Sequence, residues 1–207
     1  MRGMTLVAIG LAYLAGSIPF GYLVARARGV DLTQVGSGNV GATNVYRALG
    51  LRFALVVFAF DVAKGFVATR VFPMIAGQPW DVTYLTLACG LAAILGAVAS
   101  VFMRFRGGKG VAAGVGVFLG LAPAATAICL GIWALVVAIS RYVSLGSLTG
   151  AVALPLLVAI FEQQGSRSNP VFYLALAVAV IVFVRHRANI RRLLAGTENK
   201  IGKGGRS

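Results

Sequence analysis

The stretch "VAAGVGVFLGLAPAATAICLGIWALVVAI" runs from Val111 to Ile139 without one charged side chain. A bilayer core about 30 Å thick takes about 20 residues of helix, so this stretch is too long for a single untilted crossing. Pro123, near its middle, lacks the N–H that a continuous helix requires. Whether the stretch crosses once or twice sets the fold, and the basic residues around it decide the matter. If two short helices meet near Leu121 to Ala124, fifteen of the nineteen Lys and Arg residues fall on one side of the membrane. Arg2, Arg70 and Arg167 then lie on the other side, with Lys64 inside. If the stretch is one helix, the tail holding Arg185, Arg187, Arg191, Arg192, Lys200, Lys203 and Arg206 moves to the opposite face, and the bias largely disappears. Cytoplasmic connections carry the excess of Lys and Arg, which favours two helices.

Composition agrees with a membrane setting. Hydrophobic residues are 59% of the 207 and charged residues 12%, with a mean hydropathy of +0.89. That is more apolar surface than a soluble core of this length can hide. The expected fold is an all-α polytopic membrane protein, one integral domain over residues 1–207. Seven transmembrane helices are expected at about 4–25, 51–76, 82–103, 111–122, 124–139, 142–161 and 170–184, the fourth and fifth of them short. The N-terminus lies outside and the C-terminus in the cytoplasm. The first span is too long for a signal-peptide core and lacks a clean cleavage pattern. Pro155 is acceptable inside the sixth because a neighbouring helix can absorb the break. A net charge of +14 would suggest nucleic acid in a soluble protein, but here the cations sit in short connections and report topology, so no nucleic-acid partner is expected. Cys89 and Cys129 both fall in apolar segments, which supports neither a disulfide framework nor a metal site.

This topology brings three polar segments to one face: "GSGNVGATNVYR" (Gly36 to Arg47), "RFRGGKG" (Arg104 to Gly110) and "RHRANIRRLLAGTENK" (Arg185 to Lys200). In the first, Gly36, Gly38 and Gly41 formally match GxGxxG, but that fingerprint needs a strand before it, and a membrane helix precedes it here. The general physics survives: glycines let backbone N–H groups approach an anion, and Ser37, Asn39, Thr43 and Asn44 add side-chain donors. Arg47 completes a phosphate clamp. The alternative is a polar turn with a topology-setting arginine. In the second segment Gly107 and Gly108 precede Lys109 and offer backbone donors beside a cation at a helix start. The competing reading is a basic loop touching anionic headgroups. The third holds the chain's sole histidine; His186 and Asn189, three apart, share a helix face, and Glu198 follows the Gly196 helix stop. Within the second span Asp61 and Lys64 are three apart and too deep to be ionised unpaired. Pairing with each other is favoured over substrate contact.

"GSGNVGATN", "DVAKG", "FRGGKGVA" and "RHRANIRRLLAGTENK", in this order and separated by membrane spans, resemble the PlsY family, the acyl-phosphate:glycerol-3-phosphate acyltransferases of bacterial membranes. The resemblance covers nearly the whole chain. It implies a seven-helix enzyme of the bacterial plasma (inner) membrane, its active site facing the cytoplasm. Such an enzyme moves a fatty acyl group from acyl phosphate to the 1-hydroxyl of sn-glycerol 3-phosphate and releases lysophosphatidic acid and inorganic phosphate. It needs no cofactor, and its partners are these two substrates and membrane lipid. Family site positions carry over to Ser37, Asn39, Arg47, Lys109, His186, Asn189 and Glu198, the last three forming the candidate catalytic set. Ala97, Ser100 and Ala113 depart from the His-x-x-Pro and Thr common in the family. The HxxxxD dyad of many glycerolipid acyltransferases is absent, as are the parts of a Ser-His-Asp triad.

The chemistry suits that resemblance. Acyl phosphate is a mixed anhydride with a good leaving group, so no protein nucleophile is required. The expected step is direct attack by the glycerol hydroxyl, with cations and loop amides holding both phosphates. The base is His186, Glu198 or the substrate's own phosphate. The main rival reading is a transporter or channel for a phosphorylated solute, against which the polar groups crowd one face instead of tracing a path across. A non-catalytic lipid-binding scaffold would explain basic loops but does not require "GSGN" or "GGKG".

Overall fold

The computed structural model describes residues 2–77, 84–161 and 169–202. The start of the expected third span at Val82, and Arg167, Lys203 and Arg206 of the charge count, lie outside the described residues. Among the described residues every regular element is helical. The chain divides into two compact units, Met1–Leu121 and Ala122–Ser207.

The first unit holds α1 (Arg2–Ser17), α2 (Phe20–Arg26), α3 (Ala42–Leu49), α4 (Leu51–Arg70), α5 (Phe72–Ile75), α6 (Tyr84–Val98), a 3-10 turn (Val101–Met103) and α7 (Val111–Leu121). One cluster of its core is made of small residues: Ala8, Ala12, Ala68, Cys89, Ala92 and Ala93 are buried together. Many large apolar side chains point outward, with Leu6 72% and Leu55 57% exposed. This inside-out distribution is what lipid selects, because tails solvate leucine as well as a protein core does, whereas small residues let helix backbones approach. The glycines make that approach specific. A methyl at Gly16 would collide with the Ala93 carbonyl and one at Gly96 with the Tyr13 carbonyl, joining α1 to α6. Gly65 meets the Ala113 carbonyl and Gly116 the Val62 carbonyl, joining α4 to α7.

The first expected span is broken at Ile18–Pro19, though Gly3–Arg26 as a whole is long and apolar enough to cross a membrane. Polar groups satisfy the break. The Ser100 hydroxyl donates to the Ser17 carbonyl and Lys64 Nζ to the Ile18 carbonyl at 3.1 Å, and the Tyr13 hydroxyl ties α1 to the end of α6 by donating to the Ala99 carbonyl at 2.7 Å. Lys64 Nζ also pairs with Asp61 at 2.7 Å. A buried ammonium is tolerable because carboxylate and carbonyl replace its water. The expected Asp61–Lys64 pair is therefore present, and it caps the opened end of a different helix.

The second unit holds α8 (Pro123–Ser140), α9 (Val143–Phe161), α10 (Pro170–Arg185) and α11 (Arg187–Leu194). The helix break at Ala122 falls inside the interval expected from sequence. Pro123 opens α8 at the first position, where its missing N–H costs nothing. Pro155 is buried within an uninterrupted α9. α10 is capped by Asn169, whose side chain accepts from the Phe172 N–H at 3.1 Å, and opens on Pro170. By length and composition four segments can cross a membrane: Gly3–Arg26, Tyr84–Met103, Pro123–Ser140 and Val143–Phe161. The pair Pro170–Arg185 and Arg187–Leu194, bent by 61°, is a fifth. This is a multi-pass membrane protein. α7, at 11 residues, is about 16 Å long, shorter than the bilayer core is thick.

Candidate active site

The Gly36–Arg47 segment folds back as a cup in front of α3. Leu32, fully buried with Ala25, Val45 and Val57, anchors the loop to the core. Gly36 and Gly38 take left-handed backbone (φ 60° and 67°), conformations that glycine adopts without strain. The structural keystone is Asn44, which is buried. Its Nδ2 donates to the carbonyls of Leu32 at 3.1 Å and Val35 at 2.9 Å, and its Oδ1 accepts from the Ser37 N–H at 3.0 Å. Sequence placed Asn44 among the phosphate donors. The structure corrects this: both its N–H groups are taken up in shaping the loop, and a side chain at Gly36 would collide with its Oδ1.

Around that frame the other donors face outward. The Asn39 Oδ1 accepts from the Gly41 N–H at 2.9 Å, a local turn that opens α3. Among the described residues the hydroxyls of Ser37 and Thr43 and the Nδ2 of Asn39 have no hydrogen-bond partner. Ser37 and Gly38 are exposed, Asn39, Thr43 and Arg47 half-buried. α3 adds the positive end of its dipole at Thr43 and carries Arg47 in its last turn.

The second motif joins the first within the same unit. A methyl on Gly108 would stand 3.8 Å from Asn39 Oδ1 and 3.7 Å from the Ala97 carbonyl. The backbone donors expected here are engaged elsewhere: the Gly107 N–H donates to the Val98 carbonyl at 3.0 Å and the Gly108 N–H to the Ala97 carbonyl at 2.8 Å. A helix end leaves carbonyls without partners, and the glycine pair satisfies them. Gly107 and Gly108 thus pin the loop, and half-buried Lys109 is the group they deliver.

The second unit carries a different kind of cluster. His186 stands at the bend between α10 and α11 and is 2% exposed; Asn189 and Glu198 are also buried. The His186 Nδ1 lies 2.8 Å from the Val182 carbonyl. A carbonyl can only accept, so Nδ1 carries a proton and the basic lone pair of the neutral ring is on Nε2. α11 ends in a Schellman turn, with Gly196 (φ 69°) donating to Leu193 and Thr197 to Arg192. The turn sends Glu198 back against the helix it has just left. Its Oε1 accepts from Asn189 Nδ2 at 2.6 Å and Ser144 Oγ at 2.9 Å; its Oε2 accepts from Arg192 Nε at 2.6 Å. Burial opposes ionisation of Glu198 most strongly of any single influence. Hydrogen bonds from Asn189, Arg192 and Ser144 and the Arg192 charge together outweigh it, and the carboxyl is held below its ordinary range. As a candidate base it is thereby corrected to a clamp: an occupied carboxylate of lowered basicity is a poor proton acceptor. Ser144 and Arg192 were invisible in the sequence, since nothing distinguishes one serine in "SLGS" or one arginine among four.

Comparison with known proteins agrees with these motifs. The family model for glycerol-3-phosphate acyltransferase matches residues 6–196. The glycerol-3-phosphate acyltransferase of Geobacter sulfurreducens is 46% identical over 196 residues, covering 94% of this chain and 96% of its own. That of Synechococcus sp. (strain CC9902) is 44% identical over 206 residues, covering 98% of each. The crystal structure of PlsY, an integral membrane glycerol 3-phosphate acyltransferase, in its glycerol 3-phosphate form is 38% identical, with a TM-score of 0.87 and 96% of each chain covered. Its lysophosphatidic acid form gives 37% identity and a TM-score of 0.84, covering 96% of this chain and 95% of that one. With two glycine-framed motifs meeting in one unit and nearly full-length matches of this strength, the chain belongs to the glycerol-3-phosphate acyltransferase family.

Proposed function

We propose that this protein transfers a fatty acyl group from acyl phosphate to the 1-hydroxyl of sn-glycerol 3-phosphate in the bacterial plasma membrane, the first acylation of phospholipid biosynthesis. The observation that carries the reading is the junction of the first two motifs. There the hydroxyls of Ser37 and Thr43 and the Nδ2 of Asn39 lack partners among the described residues, beside a loop that presents Lys109. Outward-facing neutral donors with cations nearby suit a phosphate monoester. The related PlsY has been crystallised with glycerol 3-phosphate and with lysophosphatidic acid, an acceptor and a product of such a reaction.

The hydroxyl of glycerol 3-phosphate attacks the acyl carbon, a new C–O bond forms, the bond from the acyl carbon to the phosphate oxygen breaks, and inorganic phosphate leaves. Ser37, Asn39, Thr43, Arg47 and Lys109 hold phosphate oxygens and counter the charge that grows on the anhydride in the transition state. Gly38, Gly107, Gly108 and Asn44 shape the loops that carry them, and Asp61 with Lys64 fixes the helix break beneath. In the second unit His186 and Asn189 position phosphate, and Glu198 holds Asn189 in place. The proton of the attacking hydroxyl goes to a substrate phosphate oxygen. Acyl phosphate as donor accords with the absence of an exposed nucleophile among the described cysteines: Cys89 is buried and Cys129 half-buried.

The topology that accompanies this reading has seven spans, with α4 and the short α7 completing the five candidates, the N-terminus outside and the C-terminus cytoplasmic. Cysteines placed at 166 and 206, positions beyond the described residues, should label from opposite sides of the membrane. For the reaction itself, purified protein in detergent is given acyl phosphate and labelled glycerol 3-phosphate. Lysophosphatidic acid should appear with one inorganic phosphate per turnover. Uptake of glycerol 3-phosphate into vesicles without product would establish the transporter reading instead.

A further inference from the structure

The turn that delivers the Gly107–Lys109 loop is strained. Arg104 and Phe105 both take left-handed backbone, with φ 50° and 61°. The Arg106 N–H donates to the Met103 carbonyl at 2.9 Å and the Phe105 N–H to the Ser100 carbonyl at 2.7 Å. Two consecutive positive-φ residues closed by a bond from residue i+3 to residue i form the turn that ordinarily takes Asn-Gly. A side chain with a Cβ disfavours that conformation by roughly tenfold at each position. Such strain persists where the surroundings impose it, and here it turns side chains away from the protein.

Four of those side chains form one set. Phe102 is 59% and Phe105 65% exposed, and Arg104 and Arg106 are exposed beside them. Among the described residues these side chains have no ring contact, hydrogen bond or ion pair. The turn lies across the end of the candidate span Tyr84–Met103, which puts it where hydrocarbon gives way to headgroups. Phenylalanine rings bury at the boundary between headgroups and acyl chains, and guanidinium groups beside them meet lipid phosphates. We infer that the Phe102–Arg106 turn is a docking surface for the anionic headgroups of the bilayer, and that its docking sets the height of the Gly107–Lys109 loop above the hydrocarbon. The mechanical link is backbone. Gly107 and Gly108, the next residues, are bonded to the end of α6, so the turn and the lysine loop move as one piece.

The test reads depth. A nitroxide is attached at Phe105→Cys in the full chain carrying Cys89→Ala and Cys129→Ala, in vesicles containing phosphatidylglycerol or phosphatidylcholine alone. Its collisions with oxygen and with a neutral nickel chelate are compared. In anionic vesicles the label should meet oxygen and be shielded from nickel. The ratio of docked to undocked turn should fall roughly 30-fold on phosphatidylcholine, about fivefold for each guanidinium. Arg104→Gln with Arg106→Gln should reproduce that loss on the anionic vesicles. Quenching of Phe105→Trp by brominated lipids, measured against the parent chain, gives the same reading with both cysteines retained. A label open to nickel in both vesicles overturns the proposal. A label equally shielded in both, and indifferent to the arginine substitutions, overturns anionic lipid as the partner. Because depth is read without turnover, either failure leaves the proposed reaction standing.

Discussion

The Gly36–Arg47 loop and the His186–Glu198 cluster are both rich in polar side chains, yet they are built on opposite plans. In the loop the backbone and one buried side chain, Asn44, do the holding, and the peripheral groups Ser37, Asn39 and Thr43 keep donors facing outward. In the cluster the polar side chains hold one another: Ser144, Asn189 and Arg192 all converge on the Glu198 carboxylate. The first plan suits groups that must exchange water for a ligand. The second suits groups that must keep one geometry. The loop should therefore be sensitive in binding and tolerant in stability, and the cluster the reverse at Glu198.

The largest separation is expected at Lys109. Lys109→Ala should lower kcat/KM for glycerol 3-phosphate by about 100-fold or more, in the range seen when one charge-stabilising donor is removed. Its unfolding midpoint in detergent should stay close to that of the parent. A matching fall in stability would make Lys109 a structural residue and erase the contrast.

Glu198→Ala should invert the pattern. Removing the acceptor leaves Asn189, Ser144 and Arg192 without their shared partner, at a cost of about 3 kcal/mol measured by denaturant or thermal unfolding. Its pH dependence is a sharper check. The folded-state value of the carboxyl lies below its ordinary range, so the unfolded chain binds the proton more readily. The stabilisation is complete above the unfolded value of about 4.3 and is lost as pH falls through the folded value. The parent should lose this contribution in acid, and Glu198→Gln should lack that part of the acid limb.

Asn44→Ala tests the point where the two plans meet, because Asn44 is a clamp inside the open loop. It orphans the Leu32 and Val35 carbonyls and the Ser37 N–H, so stability should fall by about 1–3 kcal/mol and KM should rise with it. For His186→Gln the expected change is roughly tenfold in KM with kcat little altered, the scale of one lost charge-assisted hydrogen bond. A thousandfold fall in kcat at unchanged affinity, with the acid limb of the pH–rate profile gone, would instead make His186 the base. The smallest effect belongs to Ser37→Ala: within about 0.5 kcal/mol in stability, since the hydroxyl is exposed, and a severalfold rise in KM. No change in KM would remove that hydroxyl from the site.

Much of this was legible along the chain. Apolar length and the placement of cations gave a helical membrane protein, the break at Pro123 and the second helix start after it, because bilayer thickness and proline geometry act locally. The glycine-rich motifs and the order in which they occur pointed to the family without any coordinates. Local rules could not say which donors remain available. Gly107 and Gly108 look like phosphate ligands until the end of α6 is seen to claim their N–H groups, and Asn44 looks like its neighbours Thr43 and Asn39 until Leu32 and Val35 fold back onto it. Lys64 reads as half of a pair within one helix, whereas its second partner, Ile18, is 46 residues away. The sequence by itself thus determined the type of chain, its break at Pro123 and the kinds of groups at its polar face, but not the break at Ile18–Pro19. Tertiary structure alone decided which of those groups are occupied, because a hydrogen bond is assigned by the position of its acceptor, and here many acceptors come from distant turns and helix ends.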